Sequence, residues 1–127
     1  MPRTRDSTSG VQTVRTPEGA VLCARCSVAA TPRTRLRGLL GRTLAPDEGL
    51  LIRPTNAIHM FFMAYPIDVV FLDRDSRVLR VVEALAPWRA AACRRARSVL
   101  ELPAGACARV GVGPDDVLTF TPSERPA

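Results

Sequence analysis

Apolar side chains recur along this chain mostly in short runs of strand length. The first two are Val11 to Val14 and Ala20 to Val28. Leu50 to Ile52, Ile58 to Met63, Ile67 to Leu72, Val78 to Val82, Val99 to Leu102 and Val117 to Phe120 follow. Most carry β-branched or aromatic residues, which suit the pleated, half-buried surface of a sheet. Pro17-Glu18-Gly19 predicts a turn that folds the first two runs into a hairpin, and Asp73-Arg74-Asp75-Ser76 pairs Ile67 to Leu72 with Val78 to Val82 in the same way. Val69 with Phe71, and Val70 with Leu72, make one strand apolar on both faces, so it needs cover on both sides.

Two segments carry helix signals. Thr31 before Pro32 is an N-cap with proline at the first helical position, Leu36, Leu39 and Leu40 share a face, and Gly41 supplies the stop. Pro103 to Val110 reads as a second helix, closed by Gly111 and Gly113. Pro87 to Arg97, basic and alanine-rich with Trp88 near its start, reads as an exposed loop. The expected class is α+β and β-rich, with a strongly curved or barrel-like, mostly antiparallel sheet and two short helices.

A length of 127 residues suits one core and no second domain. Residues 1–10, rich in Arg, Thr and Ser, are expected to be a disordered tail, 11–120 a single domain, and 121–127 a frayed end. The N-terminal residues lack the apolar run of a secretory signal. The longest apolar stretch, Ile58 to Ile67, is interrupted by His59 and Pro66 and falls below the ~20 residues that cross a bilayer. A soluble, cytoplasmic protein without a membrane partner is expected.

All 18 basic residues are arginine, against 12 acidic ones, for a net charge of +6. Such a field favours an anionic small molecule or a protein as partner. The arginines gather at Arg33, Arg35, Arg37 and Arg42 and again at Arg89, Arg94, Arg95 and Arg97. Nucleic-acid binding would rest on that charge alone, without a docking element or exposed aromatic residues, and is not expected beyond nonspecific contact.

The four cysteines are expected to be free thiols. Cys23 and Cys26 lie in a strand, where residues three apart point to opposite faces, a geometry unsuited to redox or metal chemistry. Cys93, Cys107 and His59 match no compact zinc spacing. No metal site and no cofactor is expected, and phosphate-loop, nucleophile-elbow and HExxH motifs are absent from the sequence.

Three polar residues interrupt the apolar strands. His59, the single histidine, could be a general base or a soft metal ligand with Met60 and Met63, although a hydrogen-bonded core histidine is the simpler reading. Asp68 sits between Ile67 and Val69, where an isolated ionised carboxylate would cost several kcal/mol. It therefore needs donors, and His59, Asn56, Thr55, an arginine or backbone N–H groups of residues 56–65 are the candidates. It either pins that segment or acts as acid or base in a pocket. Glu101, in Val-Leu-Glu-Leu-Pro, is a second acid in an apolar strand. It could pair with an arginine or join Asp68 in one cleft.

Arg37-Gly38-Leu39-Leu40-Gly41-Arg42, Asp47-Glu48-Gly49-Leu50-Leu51, Ile58-His59-Met60-Phe61-Phe62-Met63 running into Pro66 to Asp73, and Val99 to Gly105 follow one another in a specific order and spacing. Together they resemble the domain-of-unknown-function 192 family, also called uncharacterised protein family 0127, across about residues 20–120. The resemblance implies a compact, β-rich single domain of bacteria and archaea with no established activity. Many such proteins carry a secretory or lipoprotein leader, which is not expected here. The family's Trp-Met-Lys-Asn-Thr stands here as Phe62-Met63-Ala64-Tyr65, and its Gly-Asp before the last strand as Gly113-Pro114-Asp115-Asp116. A subgroup's Cys is replaced by Thr55, so cysteine chemistry at this place is not expected.

The leading expectation is a small cytosolic binding or accessory module. Its pocket would gather His59, Asp68 and Glu101, with Asn56 and Met63 beside them. An acid-base hydrolase using the same Asp68, Glu101 and His59 is the alternative, and nonspecific nucleic-acid binding through the arginine clusters is the third.

Overall fold

The turn at Pro17-Glu18-Gly19 closes through Gly19 N–H to the Thr16 carbonyl and Thr16 N–H to the Ala20 carbonyl, each at 2.9 Å. Gly19 takes φ +93°, a conformation open to glycine at little cost. In the computed structural model, which describes residues 10–29, 44–61 and 63–123, this turn joins β1 (Gln12–Arg15) to β2 (Val21–Ala29) as an antiparallel hairpin. The expected helix over residues 31–41, the tail before residue 10 and the end after 123 lie outside the described residues.

The hairpin is not regular. Gln12 pairs with Cys26 and Val14 with Cys23, so one more residue is spent on β2 than on β1. Such a bulge resets the alternation of side chains. Cys23 and Cys26 consequently both turn into the core, 1% and 0% exposed, which corrects the expectation that they face apart. Gly49 makes room for Cys23: a Cβ at residue 49 would stand 2.7 Å from its Sγ.

β2 pairs in parallel with β3 (Glu48–Ile52), and the Arg25 guanidinium clamps the Asp47 carboxylate at 2.9 and 3.0 Å where β3 begins. The other main-sheet pairings are antiparallel. β5 (Ile67–Leu72), β6 (Val78–Leu85), β8 (Ser98–Pro103) and β9 (Thr119–Pro122) complete a seven-stranded mixed sheet ordered β6-β5-β8-β3-β2-β1-β9. β9 continues through Pro122, paired with Gln12. A single bridge between Arg77 and Val117 joins the start of β6 to the segment before β9. The sheet is strongly curved but does not close into a barrel.

All six residues of β5 are buried, as its two-faced apolar character requires. Val70, Leu72, Leu100 and Leu102 belong to one core cluster with Cys23, Cys26 and Cys107. Ile67, Val69, Phe71 and Val99 belong to a second cluster with Ile58, Met60 and Met63. The Asp73 turn is fixed by its own Oδ1, which accepts N–H groups of Asp75 and Arg77 at 2.8 and 3.0 Å.

Among the described residues there is one helix, α1 (Ala106–Val110), framed by Gly105 at φ +96° and Gly111 at φ +85°. It is shorter than expected because Pro103 still belongs to β8. The segment read as a loop, residues 87–97, contains a strand instead, β7 (Ala90–Ala92), which pairs with β4 (Ala57–His59) in a separate two-stranded sheet. Alanine has little β preference of its own, and the pairing is imposed by the neighbouring strand.

Candidate functional site

β4 and β7 form a small flap. Ala57 pairs with Ala92, Ile58 with Ala91 and His59 with Ala90. Met60 N–H donates to the Arg89 carbonyl at 2.7 Å and Trp88 N–H to the Met60 carbonyl at 2.8 Å, which carries the pairing past the strand ends. Thr55 Oγ1 closes a local turn with Ala57, and exposed Asn56 donates from Nδ2 to the Arg94 carbonyl at 3.4 Å. The Cys93 N–H returns a bond to the Asn56 carbonyl at 2.9 Å. Arg80 Nη1 ties the flap to β6 by donating to the Ala92 carbonyl at 2.7 Å.

The flap has an inside and an outside, as alternation in an extended strand dictates. Ile58, Met60 and Met63 are 6%, 0% and 4% exposed and face the second core cluster. Ala57, His59 and Phe61 face outward. The chain leaves strand geometry after His59, and Met63 N–H turns back to the Met60 carbonyl at 3.2 Å. His59 is thus a surface residue, not a core histidine, and does not share a face with Met63. A ligand set of His59, Met60 and Met63 is not assembled, because both sulfurs are in the core.

On the outer face the rings of His59 and Phe61 lie 4.5 Å apart between centroids, and those of Phe61 and Trp88 5.8 Å apart and stacked. Phe61 is 42% and Trp88 59% exposed. Trp88 also adopts φ +67°, a left-handed backbone that disfavours side chains bearing a Cβ. His59 Nδ1 accepts the Phe61 N–H at 3.3 Å, which holds the imidazole beside the Phe61 ring. Beside the rings runs a groove of about 390 Å³, lined by Ala57, Ile58, His59 and the three alanines of β7. Small side chains leave its floor low while the rings stand above the surface.

Asp68 is elsewhere. It is fully buried on β5, and its carboxylate accepts three backbone N–H groups: Ala84 at 2.8 Å, Cys107 at 2.9 Å and Gly105 at 3.2 Å. None comes from residues 56–65, contrary to expectation. Ala84 is at φ +51°, within a bulge where Ile67 pairs with Leu85 and Val69 with Val82. Asp68 therefore fixes a bulge in β6 and the start of α1 with one side chain. Burial pushes the Cys107 thiol up, and the neighbouring Asp68 carboxylate adds to the rise.

Glu101 is also fully buried. It pairs across β8 with Val69 and Leu50, whereas Asp68 pairs with Leu102. The two carboxylates therefore face opposite sides of the sheet, and neither lines the groove that His59 borders. The pocket expected from His59, Asp68 and Glu101 together is not formed, nor is the carboxylate pair a hydrolase would need. Exposed aromatic residues are not expected from the sequence, yet Phe61 and Trp88 are exposed and stand beside His59, which corrects that expectation. The available signal was a lone tryptophan in an alanine-rich, basic stretch.

The curved mixed sheet with its ring-bearing flap defines a small β-rich domain without an established chemistry. The chain belongs to the DUF192 family (Uncharacterized ACR), whose pattern matches residues 13–120. It is 35% identical over 97 residues to a UPF0127 protein of Thermococcus sibiricus, covering 69% of this chain and 60% of that protein. It is 48% identical over 54 residues to a UPF0127 protein of Pyrococcus horikoshii, covering 42% and 46%. The chain thus spans about half the length of the curated relatives it matches. Two crystal structures share the fold at 28% identity. One, a candidate transcription regulator from Sinorhizobium meliloti, has a TM-score of 0.74 and is matched over 86% of this chain and 91% of its own. The other, a protein of unknown function from Novosphingobium aromaticivorans, has a TM-score of 0.69 over 86% and 83%. No helix among the described residues is long and apolar enough to cross a membrane.

Proposed function

We infer that this domain is a binding module whose ligand is a planar aromatic anion held on the outer face of the flap. The observation that carries the reading is the exposed ring series His59, Phe61 and Trp88 beside an alanine-floored groove. Rings prefer offset stacking on other rings, so a flat ligand gains more there than an aliphatic one. The open, alanine-lined face leaves room for a flat ligand to lie against the rings. From Arg89 to Arg95 the chain carries three arginines and no acid, which favours a negative charge on the ligand.

The regulator designation of the S. meliloti structure would bring a nucleic acid to this chain as ligand. The one helix among the described residues is five residues long, too short to read a groove, so the aromatic face is the better-supported site. Asp68 and Glu101 act in this reading as scaffold, Met63 as support beneath the flap, and Asn56 as the link between its two connections.

Calorimetric titration with 2-naphthoate tests the proposal, with cyclohexanecarboxylate as the charge-matched, non-planar control. Binding of the first and not the second is expected, with loss of at least tenfold in Phe61→Ala, a step of about 1.4 kcal/mol. Equal binding of both probes, or an unchanged Phe61→Ala variant, overturns it.

A further inference from the structure

At one end of the main sheet three arginines line one pocket, and among the described residues no ion pair involves them. Arg53 follows the last residue of β3, and Arg97 precedes the first of β8. Ile52 pairs with Val99, so these residues emerge at the same end. Arg74 sits in the turn after β5, whose last residue Leu72 pairs with Ser98, and Arg97 N–H donates to the Leu72 carbonyl at 2.8 Å. All three line one concave pocket of about 270 Å³.

Three like charges gathered in a concavity repel one another. Among the described residues the ion pairs are those of Arg25 with Asp47 and Glu48, and none involves these three guanidinium groups. Among the described residues the one acid lining the pocket is Asp73, whose Oδ1 is already engaged by two backbone N–H groups of its own turn. Two positive charges are left over. Ser76 and Ser98 add hydroxyl donors to the same wall, and Leu72 and Phe120 supply an apolar one.

We propose that this pocket binds a phosphomonoester. A dianionic phosphate matches the two uncompensated charges, and its three terminal oxygens match three planar guanidinium donors better than the two oxygens of a carboxylate do. The apolar wall takes the organic group that the phosphate carries. The pocket volume of about 270 Å³ suits a small molecule. This site shares no lining residue with the groove beside the rings and does not depend on the aromatic reading.

The probes are cyclohexyl phosphate, whose non-planar ring the flap does not favour, inorganic phosphate and a single-stranded oligonucleotide without terminal phosphates, titrated calorimetrically against the full chain. Cyclohexyl phosphate is expected to bind more tightly than inorganic phosphate, and the oligonucleotide more weakly than either. Arg74→Gln and Arg97→Gln, both exposed and without side-chain partners among the described residues, should each weaken cyclohexyl phosphate about tenfold. Arg109→Gln, which removes the same charge from α1, should leave it unchanged. An equal loss in all three variants would mean that only overall charge is felt, and would overturn the site. So would no loss in Arg74→Gln and Arg97→Gln, or tighter binding of the oligonucleotide that these two variants abolish.

Discussion

Asp68 and Glu101 stand one register step apart on the paired strands β5 and β8 and face opposite sides of the sheet. That relationship separates two carboxylates that sequence alone suggests could share a cleft. It assigns Asp68 to the cluster around Cys107 and Glu101 to the cluster beneath the flap. The polar interruptions in the strands are therefore not one site seen three times. One fixes a bulge and a helix start, one is buried under the flap, and His59 alone reaches the surface.

Asp68→Ala should unfold the domain far more readily than an ordinary surface change. Three backbone N–H groups would lose their acceptor in a buried place. A loss of about 3–5 kcal/mol in urea unfolding is expected, and a smaller one of about 1–3 kcal/mol for Asp68→Asn, which keeps the shape and one oxygen. A change below about 1 kcal/mol in the alanine variant would mean that the carboxylate is not the pin described.

Gly49→Ala should destabilise by about 1–3 kcal/mol through overpacking, because the new Cβ would stand 2.7 Å from Cys23 Sγ and 3.0 Å from Leu102 Cδ2. Adding Cys23→Ala removes the nearer obstacle. The double variant should then be more stable than the sum of the two single losses, and strict additivity in a double-mutant cycle would contradict the packing.

Stability should fall as the solution becomes alkaline. The Cys26 thiol is raised by its hydrogen bond with Cys23 and by burial, and Cys107 by burial and the Asp68 carboxylate. Below the unfolded value of about 8.5 both thiols are protonated in both states and contribute nothing. Above it the unfolded chain releases protons that the folded one keeps, so stability declines by about 1.4 kcal/mol per pH unit for each thiol. Urea titrations at pH 8, 9 and 10 should show that slope, reduced by about one thiol's share in Cys107→Ala. An unchanged slope in that variant would show that Cys107 ionises alike in both states.

Trp88→Gly should leave stability within about 1 kcal/mol of the parent. Glycine relieves the left-handed backbone at φ +67°, which offsets the loss of the Phe61 contact. The same variant should no longer bind 2-naphthoate. A protein that stays folded by far-ultraviolet circular dichroism yet binds the probe as before would detach Trp88 from the site.

Much of the frame is legible in the sequence because turns announce themselves: Pro17-Glu18-Gly19 and Asp73 to Ser76 mark the β1-β2 and β5-β6 hairpins, and the all-apolar Ile67–Leu72 run marks a strand covered on both faces. The bulges in β2 and β6 are not legible, since one extra residue changes pairing without changing composition. They are what turn Cys23 and Cys26 the same way and give Asp68 its Ala84 donor. β7 is hidden because alanine carries little strand signal and its partner, β4, is only three residues long. The exposure of His59 is hidden for a related reason: its apolar neighbours Ile58 and Met60 suggest burial, but in a strand they lie on the opposite face.

The most direct test of the flap as a binding surface is an amide NMR titration of the labelled chain with 2-naphthoate. The account predicts shifts concentrated at residues 57–61 and 88–92, with Gly105 and Cys107 beside Asp68 unmoved. Saturating probe that leaves the flap amides in place, or moves those around Asp68 instead, would contradict it.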